Sequence, residues 1–161
     1  MFKQNMSGGI VGIGVDIVAV NRFSDWIGSA QRLSKVFTQE EMVNYLHELG
    51  PLKDNLNTQQ VRELRCAYWA ARFAAKEAFF KALSNTLIHF DMTKKPFSLM
   101  FACQNVEVIK GTWDVPFLRV HWYAFEQKIG KKLPGLKAHL SLAHEREHAV
   151  ANVIITFQEL G

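Results

Sequence analysis

Asp16 lies inside the apolar run "GIGVDIV", residues 12–18. An ionised carboxylate there is costly unless a cation, a hydrogen-bond network or solvent reaches it. A second carboxylate, Glu77, and an ammonium, Lys81, stand four residues apart in "RFAAKEAFFKAL" and so project from one face of a helix. That spacing is ordinarily a surface support worth about a few tenths of a kcal/mol. Phe73, Ala74, Ala78 and Phe80 set this pair beside an apolar surface instead. Asp16 alone can equally cap a following helix or pair with an arginine. Taken together, two carboxylates suffice for a hard cation, since Mg²⁺ uses one or two protein carboxylates and completes its shell with water and substrate phosphate.

A third group is "HLSLAHEREHAVA", with His139, Ser141, His144 and His148. Zinc is disfavoured, because the "ERE" turn separates His144 from His148 and breaks the strand alternation that would align them. His144, beside Glu145 at a hairpin, is placed to line a phosphate site, against the common alternative of a purely structural histidine. Other chemistries are excluded by order and context. Gly9, Gly12 and Gly14 read G-x-x-G-x-G, not the dinucleotide fingerprint, and no βαβ repeat follows. There is no Walker lysine, no G-x-S-x-G elbow and no nucleophilic cysteine setting.

The elements that must position these residues can be read from periodicity. Residues 10–18 are an apolar run containing β-branched Ile and Val after "SGG" and predict a buried strand, with Asp16 near its C-terminal end. Val20, Phe23, Trp26 and Ile27 predict a helix directly behind it, with Arg22 on the exposed side. "TQEE", Thr38–Glu41, has the form of a capping box and predicts a helix to about Leu49, ended by Gly50 and Pro51. The polar stretch 51–60 reads as a loop or insertion. Residues 61–83, rich in Ala, Leu, Arg, Glu and Lys, predict the central helix, with Ser84 and Asn85 as terminators. Residues 92–96 read as a surface connection. Thereafter the period is two, predicting strands at 106–109, 117–122, 138–144 and 148–156, with "KGTWDVP" as a turn and helical turns ahead of Gly130. The pattern is α+β, a long central helix on a mainly antiparallel sheet.

The chain of 161 residues is long enough for one domain, expected over residues 10–161 behind a loose N-terminal leader, residues 1–9. The leader has neither the charge pattern nor the apolar core of a secretory signal, and no stretch reads as a membrane span. Cys66 and Cys103 are isolated, which predicts a reduced, cytoplasmic setting without a disulfide framework. The formal net charge of +4 suits an acidic or phosphate-bearing partner but contains no basic run of a nucleic-acid tail. Nucleic-acid binding would rest on pI and on "FLRVHWYAF", which is more simply a strand with an apolar face.

Three segments in order, "GIGVDIVAVNRF", "WAARFAAKEAFFKAL" and "HLSLAHEREHAVANVII", closely resemble the holo-[acyl-carrier-protein] synthase family, the short bacterial 4'-phosphopantetheinyl transferases. The resemblance runs from about residue 10 to residue 156, with 50–63 and 88–105 longer than the family requires. It implies transfer of the phosphopantetheine arm of coenzyme A to a serine of acidic apo-acyl-carrier protein, leaving adenosine 3',5'-bisphosphate, in fatty acid biosynthesis. It implies Asp16 and Glu77 as Mg²⁺ ligands and Lys81 as the residue that assists the leaving group. Arg72, Lys76, Ser141 and His144 are implied as coenzyme A-binding, and Arg22 and Arg32 as carrier-protein-binding. The serine proton goes to Glu77 itself or to a water on the cation. The family is generally homotrimeric, with coenzyme sites between subunits. Where the family has a glycine turn after "FFKAL", this chain has "SNTLI", and Asn85 is the residue there able to adopt left-handed geometry. A binding module of the same fold without catalysis is the alternative.

Overall fold

The computed structural model describes residues 9–50, 57–90, 92 and 96–158. Strand β1 (Gly9–Ala19) runs into a 3₁₀ turn (Val20–Phe23), followed by the short helix α1 (Ala30–Leu33) and helix α2 (Gln39–Leu49). The long helix α3 (Thr58–His89) and the short α4 (Leu99–Gln104) come next. The second half holds β2 (Val106–Lys110), β3 (Pro116–Val120), α5 (Trp122–Ile129), β4 (Leu136–His144) and β5 (His148–Phe157). The α+β expectation holds, with the strands divided between two antiparallel sheets, one of order β1-β5-β4 and one the β2-β3 hairpin. Among the described residues no helix is long and apolar enough to cross a membrane.

α3 lies along the inner face of the three-stranded sheet, and the alternation of β1 dictates which residues meet it. Gly12, Gly14, Asp16 and Val18 face inward, while Ile13, Val15 and Ile17 face out. The two inward glycines are needed because helix and strand touch backbone to backbone. A Cβ at Gly14 would run into the Ala78 carbonyl and the Ala82 amide, and one at Gly12 into the Ala82 carbonyl and the Thr86 hydroxyl. Those contacts fix the relative register, since residue 12 lies at 82–86 and residue 14 at 78–82. Continuing the strand by two residues brings Asp16 to the level of Glu77. The glycines that failed as a nucleotide fingerprint therefore serve close packing.

Several expected boundaries move. Residues 20–27 form one 3₁₀ turn and further turns in place of a helix, because Val20 is tied by its amide to the Glu147 carbonyl and Phe23 is drawn into the core. α3 does not stop at Ser84 and Asn85; it continues because Thr86 and Leu87 are buried and the Ser84 and Thr86 hydroxyls donate back to the Phe80 and Ala82 carbonyls. Asn85 is accordingly helical and does not replace a glycine turn. An Asn57 capping box starts α3 before Val61. Trp122 begins α5 and does not extend β3, and Gly130 ends that helix in the left-handed region, φ 71°. The expected leader 1–9 gives up Gly9 to β1, and its other residues lie outside the described ones, as do 51–56 of the expected loop and 93–95 of the connection.

The glycine contacts make a direct prediction. Gly14→Ala should lower stability by about 1–3 kcal/mol through overpacking and cost activity by displacing Asp16. Gly9→Ala, whose Cβ would meet nothing, should leave both unchanged. Urea midpoints and activities of the two variants provide the comparison, and a wild-type-like Gly14→Ala would contradict the proposed register.

Candidate active site

β1 and α3 bring Asp16, Glu77 and Lys81 together. Lys81 Nζ donates to Asp16 Oδ1 at 2.7 Å and to the Val15 carbonyl at 2.9 Å. Asp16 is 9% exposed, whereas the lysine side chain is half in solvent. The second carboxylate oxygen, Asp16 Oδ2, is buried and has no hydrogen-bond donor. Glu77 lies next to Asp16. Burial first, then the charge of Asp16, push the Glu77 carboxyl above its ordinary range, while Arg22 and Lys81 pull the other way. Arg22 is exposed, with its guanidinium 4.8 Å above the Phe73 ring.

A buried oxygen without a donor, facing a second carboxylate, fits a hard cation. Asp16 and Glu77 are the residues able to hold one, with two protein carboxylates being all that Mg²⁺ requires. Among the described residues no group of three or more His, Cys, Asp or Glu forms a metal-binding cluster.

The residue before Glu77 points the opposite way. Lys76 is fully buried and donates to the Cys103 carbonyl, to the Val106 carbonyl at 2.7 Å and to Glu41 Oε2 at 2.7 Å. All three ammonium protons are thus placed in the interior, and the expectation that Lys76 grips a coenzyme phosphate is corrected. Glu41, also fully buried, accepts from the Thr38 amide as the capping box predicts and from the Val108 amide with its other oxygen. Thr38 in turn donates to Glu107, which meets Arg119. The capping box is legible in the sequence; the partner of Lys76 is not, although the lack of an acidic residue three or four positions away on its own helix leaves that partner to another element. Arg72, also expected at a phosphate, is nearly buried, stacked 3.3 Å over the Tyr68 ring and bonded to the Tyr68 carbonyl and Glu48. Its burial lowers the guanidinium pKa, opposed by Tyr68 and Glu48. Cys103 is unpaired beneath this layer, its thiol pushed up to about 12 by burial.

Ser141 and His144 are both exposed on β4, three residues apart, and so lean to opposite faces of the strand. His144 is in register with Ala149, which pairs with Val18, so it lies on the α3 side two strands across from β1. It borders two grooves. One, of about 740 Å³, is formed by the β4–β5 hairpin itself, including Arg146 and His148. The other, of about 590 Å³, runs between that hairpin and Gln60, Glu63, Leu64 and Ala67 of α3. Arg32 is exposed and donates to the Asp25 carbonyl, beside the segment that carries Arg22.

A long helix on an antiparallel sheet, with a carboxylate pair and an ammonium where β1 crosses α3, defines a protein of the α+β type. The chain belongs to the 4'-phosphopantetheinyl transferase superfamily, whose model matches residues 12–151, and within it to the holo-[acyl-carrier-protein] synthases. It is 33% identical over 151 residues to the holo-[acyl-carrier-protein] synthase of Treponema pallidum, covering 94% of this chain and 99% of the relative. With that of Halothermothrix orenii it shares 35% identity, covering 90% and 96%. The structure is similar to the crystal structure of a holo-(acyl-carrier-protein) synthase from Bacillus anthracis in complex with CoA (3',5'-ADP), with a TM-score of 0.60, 26% identity and coverage of 92% and 98%.

The inward role of Lys76 is separable from ligand binding. Lys76→Met should cost about 3–5 kcal/mol by leaving Glu41 charged and unpaired, and Glu41→Leu combined with it should restore much of that loss. Denaturant titration of the single and double variants checks this. Unchanged stability in Lys76→Met would return the lysine to the ligand site.

Proposed function

We infer that this protein transfers the 4'-phosphopantetheine group from coenzyme A to a serine hydroxyl of an apo-acyl-carrier protein, using Mg²⁺ held by Asp16 and Glu77. The observation that carries this reading is the donorless Asp16 oxygen beside Glu77, with Lys81 on the other Asp16 oxygen. When bound, Mg²⁺ supplies positive charge to the pyrophosphate oxygens. The Glu77 carboxylate accepts the serine proton. The serine oxygen bonds to the β-phosphorus as the bond to the departing adenosine 3',5'-bisphosphate breaks. Lys81, half in solvent on a flexible stem, turns from Asp16 to the leaving phosphate and stabilises its added charge. Arg22 and Arg32, both exposed, steer the acidic carrier protein, with rates that fall as salt rises.

The outer face of the three-stranded sheet supports a trimer. Ile13, Val15, Ile17 and Val150 stand exposed there, with Ile17 at 64%, and an apolar sheet face of this kind calls for cover. Second copies of the chain, arranged as a closed ring, provide it. Sedimentation should find three copies per particle for the wild type and a smaller species for Ile13→Glu; a monomeric wild type would exclude this assembly.

Intact-mass analysis of an apo-carrier incubated with coenzyme A tests the reaction. One phosphopantetheine should be added with Mg²⁺ and none with EDTA, and Asp16→Ala and Glu77→Gln should each slow transfer about a hundredfold or more. Stability gives an independent reading. The raised Glu77 pKa means the folded state holds this proton more tightly than the unfolded chain, so its contribution is full below the ordinary carboxylate range and lost as pH climbs through the raised value. In metal-free protein at neutral pH, Glu77→Gln should therefore raise the Tm, since the amide relieves the repulsion and can donate to Asp16. Wild-type transfer rates in both variants would overturn the metal assignment.

A further inference from the structure

One end of the molecule carries charge that the reaction does not use. Residues 128–137, "KIGKKLPGLK", hold four lysines and no acidic residue, and they form the end of α5 and its turn into β4. Gly9 of β1 pairs with Phe157 of β5, and Phe157 with Leu136 of β4, so this turn lies beside the start of β1, whereas Arg22 follows the other end of that strand. Ala151, the partner of Asp16, is six residues from Phe157, which sets the start of β4 about 20 Å from the Asp16 row. The turn is tied down. The Gln158 amide donates to the Gly135 carbonyl at 2.9 Å, the Leu133 amide donates to Glu126 Oε1 at 2.8 Å, and Gly130 and Gly135 are left-handed, with φ 71° and 74°.

From this turn three lysine stems spread over aromatic rings: Lys128 Nζ lies 5.7 Å from the Phe101 ring centre, Lys131 Nζ 5.5 Å from that of Phe90 and Lys132 Nζ 6.0 Å from that of Tyr123. All four lysines are exposed. Lys131 also donates to the Phe90 carbonyl at 3.2 Å, which brings it to the end of α3. Lys132 is paired with Glu126, and Lys128, Lys131 and Lys137 have no acidic partner among the described residues. Two exposed residues of another kind stand beside them, Ile88 at 67% on the last turn of α3 and Tyr123 at 69% on α5. Cations at helix C-termini stabilise the helix dipole, which accounts for Lys128 and Lys131. It does not account for Lys137, or for an aliphatic side chain left in water two residues from the carbonyl that Lys131 holds.

We propose that this end of the molecule binds the surface of an anionic lipid bilayer. Lysines on long stems meet lipid phosphates without a fixed geometry, each raising the affinity about fivefold. Ile88 enters the headgroup region, and Tyr123, an apolar ring with a polar tip, lies at its boundary. Attachment of this kind is reversible, and it directs Asp16, Glu77 and Arg22 away from the bilayer. The acidic carrier protein is a poorer match, because on the reading above its serine must reach Asp16 and Glu77 at the far end, where Arg22 and Arg32 already serve it.

Co-sedimentation of the full chain with vesicles containing phosphatidylglycerol, and with vesicles of phosphatidylcholine alone, tests this. The wild type should bind the anionic vesicles, release them as salt rises from about 50 mM to about 0.5 M, and leave the neutral ones unbound. Lys128→Gln combined with Lys131→Gln should weaken binding about twentyfold, the same two lysines changed to Arg should retain it, and Ile88→Ser should weaken it several-fold. Transfer to an apo-carrier without vesicles should be the same in the double glutamine variant as in the wild type. Arg22→Gln combined with Arg32→Gln should leave vesicle binding intact, which assigns it to the lysine end. No binding to anionic vesicles, undiminished binding in the double glutamine variant, or an equal loss in the Arg22→Gln, Arg32→Gln variant would overturn the proposal. Slower transfer in the double glutamine variant, with no vesicle binding by the wild type, would overturn it in favour of the carrier protein as the partner of this surface.

Discussion

The backbone contact between β1 and α3 is the constraint on which the rest of the structure depends. Two residues without side chains, Gly12 and Gly14, let a strand rest on the carbonyls of a helix, and no larger residue fits. The contact sets helix and strand in one register, and that register alone brings Asp16 from one element to Glu77 and Lys81 of the other. The carboxylate pair is thus a product of packing. Its electrostatic tension, with one oxygen lacking a donor and one carboxyl pushed upward, is maintained by a core that cannot relax around it.

α3 carries two unlike charge systems on adjacent residues. Lys76 faces a dry layer and is satisfied by Glu41 and two carbonyls; Glu77 faces β1 and lies beside the Asp16 carboxylate. The two charges are buried differently, the first with complete pairing within the chain and the second next to a like charge. The helix can neither rotate nor slide without exposing the first system and dispersing the second.

Much of this was legible in the residue order. The strand carrying Asp16, the capping box at Thr38, the i, i+4 relation of Glu77 to Lys81 and the closing hairpin all follow from local rules of period and capping, and they hold in the structure. The errors share a physical cause, which is that tertiary burial overrides local signals. Ser84 and Asn85 read as a helix end until Thr86 and Leu87 are seen in the core. Lys76 reads as a ligand because it adjoins Glu77 in a motif, and only the fold reveals Glu41 opposite it. Residues 20–27 have helical spacing but are drawn out of a helix by the Glu147 carbonyl. The packing role of Gly12 and Gly14 is not legible in their spacing, since spacing alone does not say whether a glycine admits a ligand or a neighbouring helix.

The partners of Glu41 also bear on how the chain reaches this state. Its side chain accepts from an amide 67 residues later, Val108, and Lys76 donates to the carbonyl of Val106, 30 residues beyond it. Neither charge can leave water at an acceptable cost until the β2–β3 hairpin follows α2 and α3 into place. Docking of that hairpin is therefore a step that joins residues far apart in sequence. Until it happens, the layer that Glu41 and Lys76 fill stays open to water, and in that interval the nascent chain is exposed to aggregation and proteolysis.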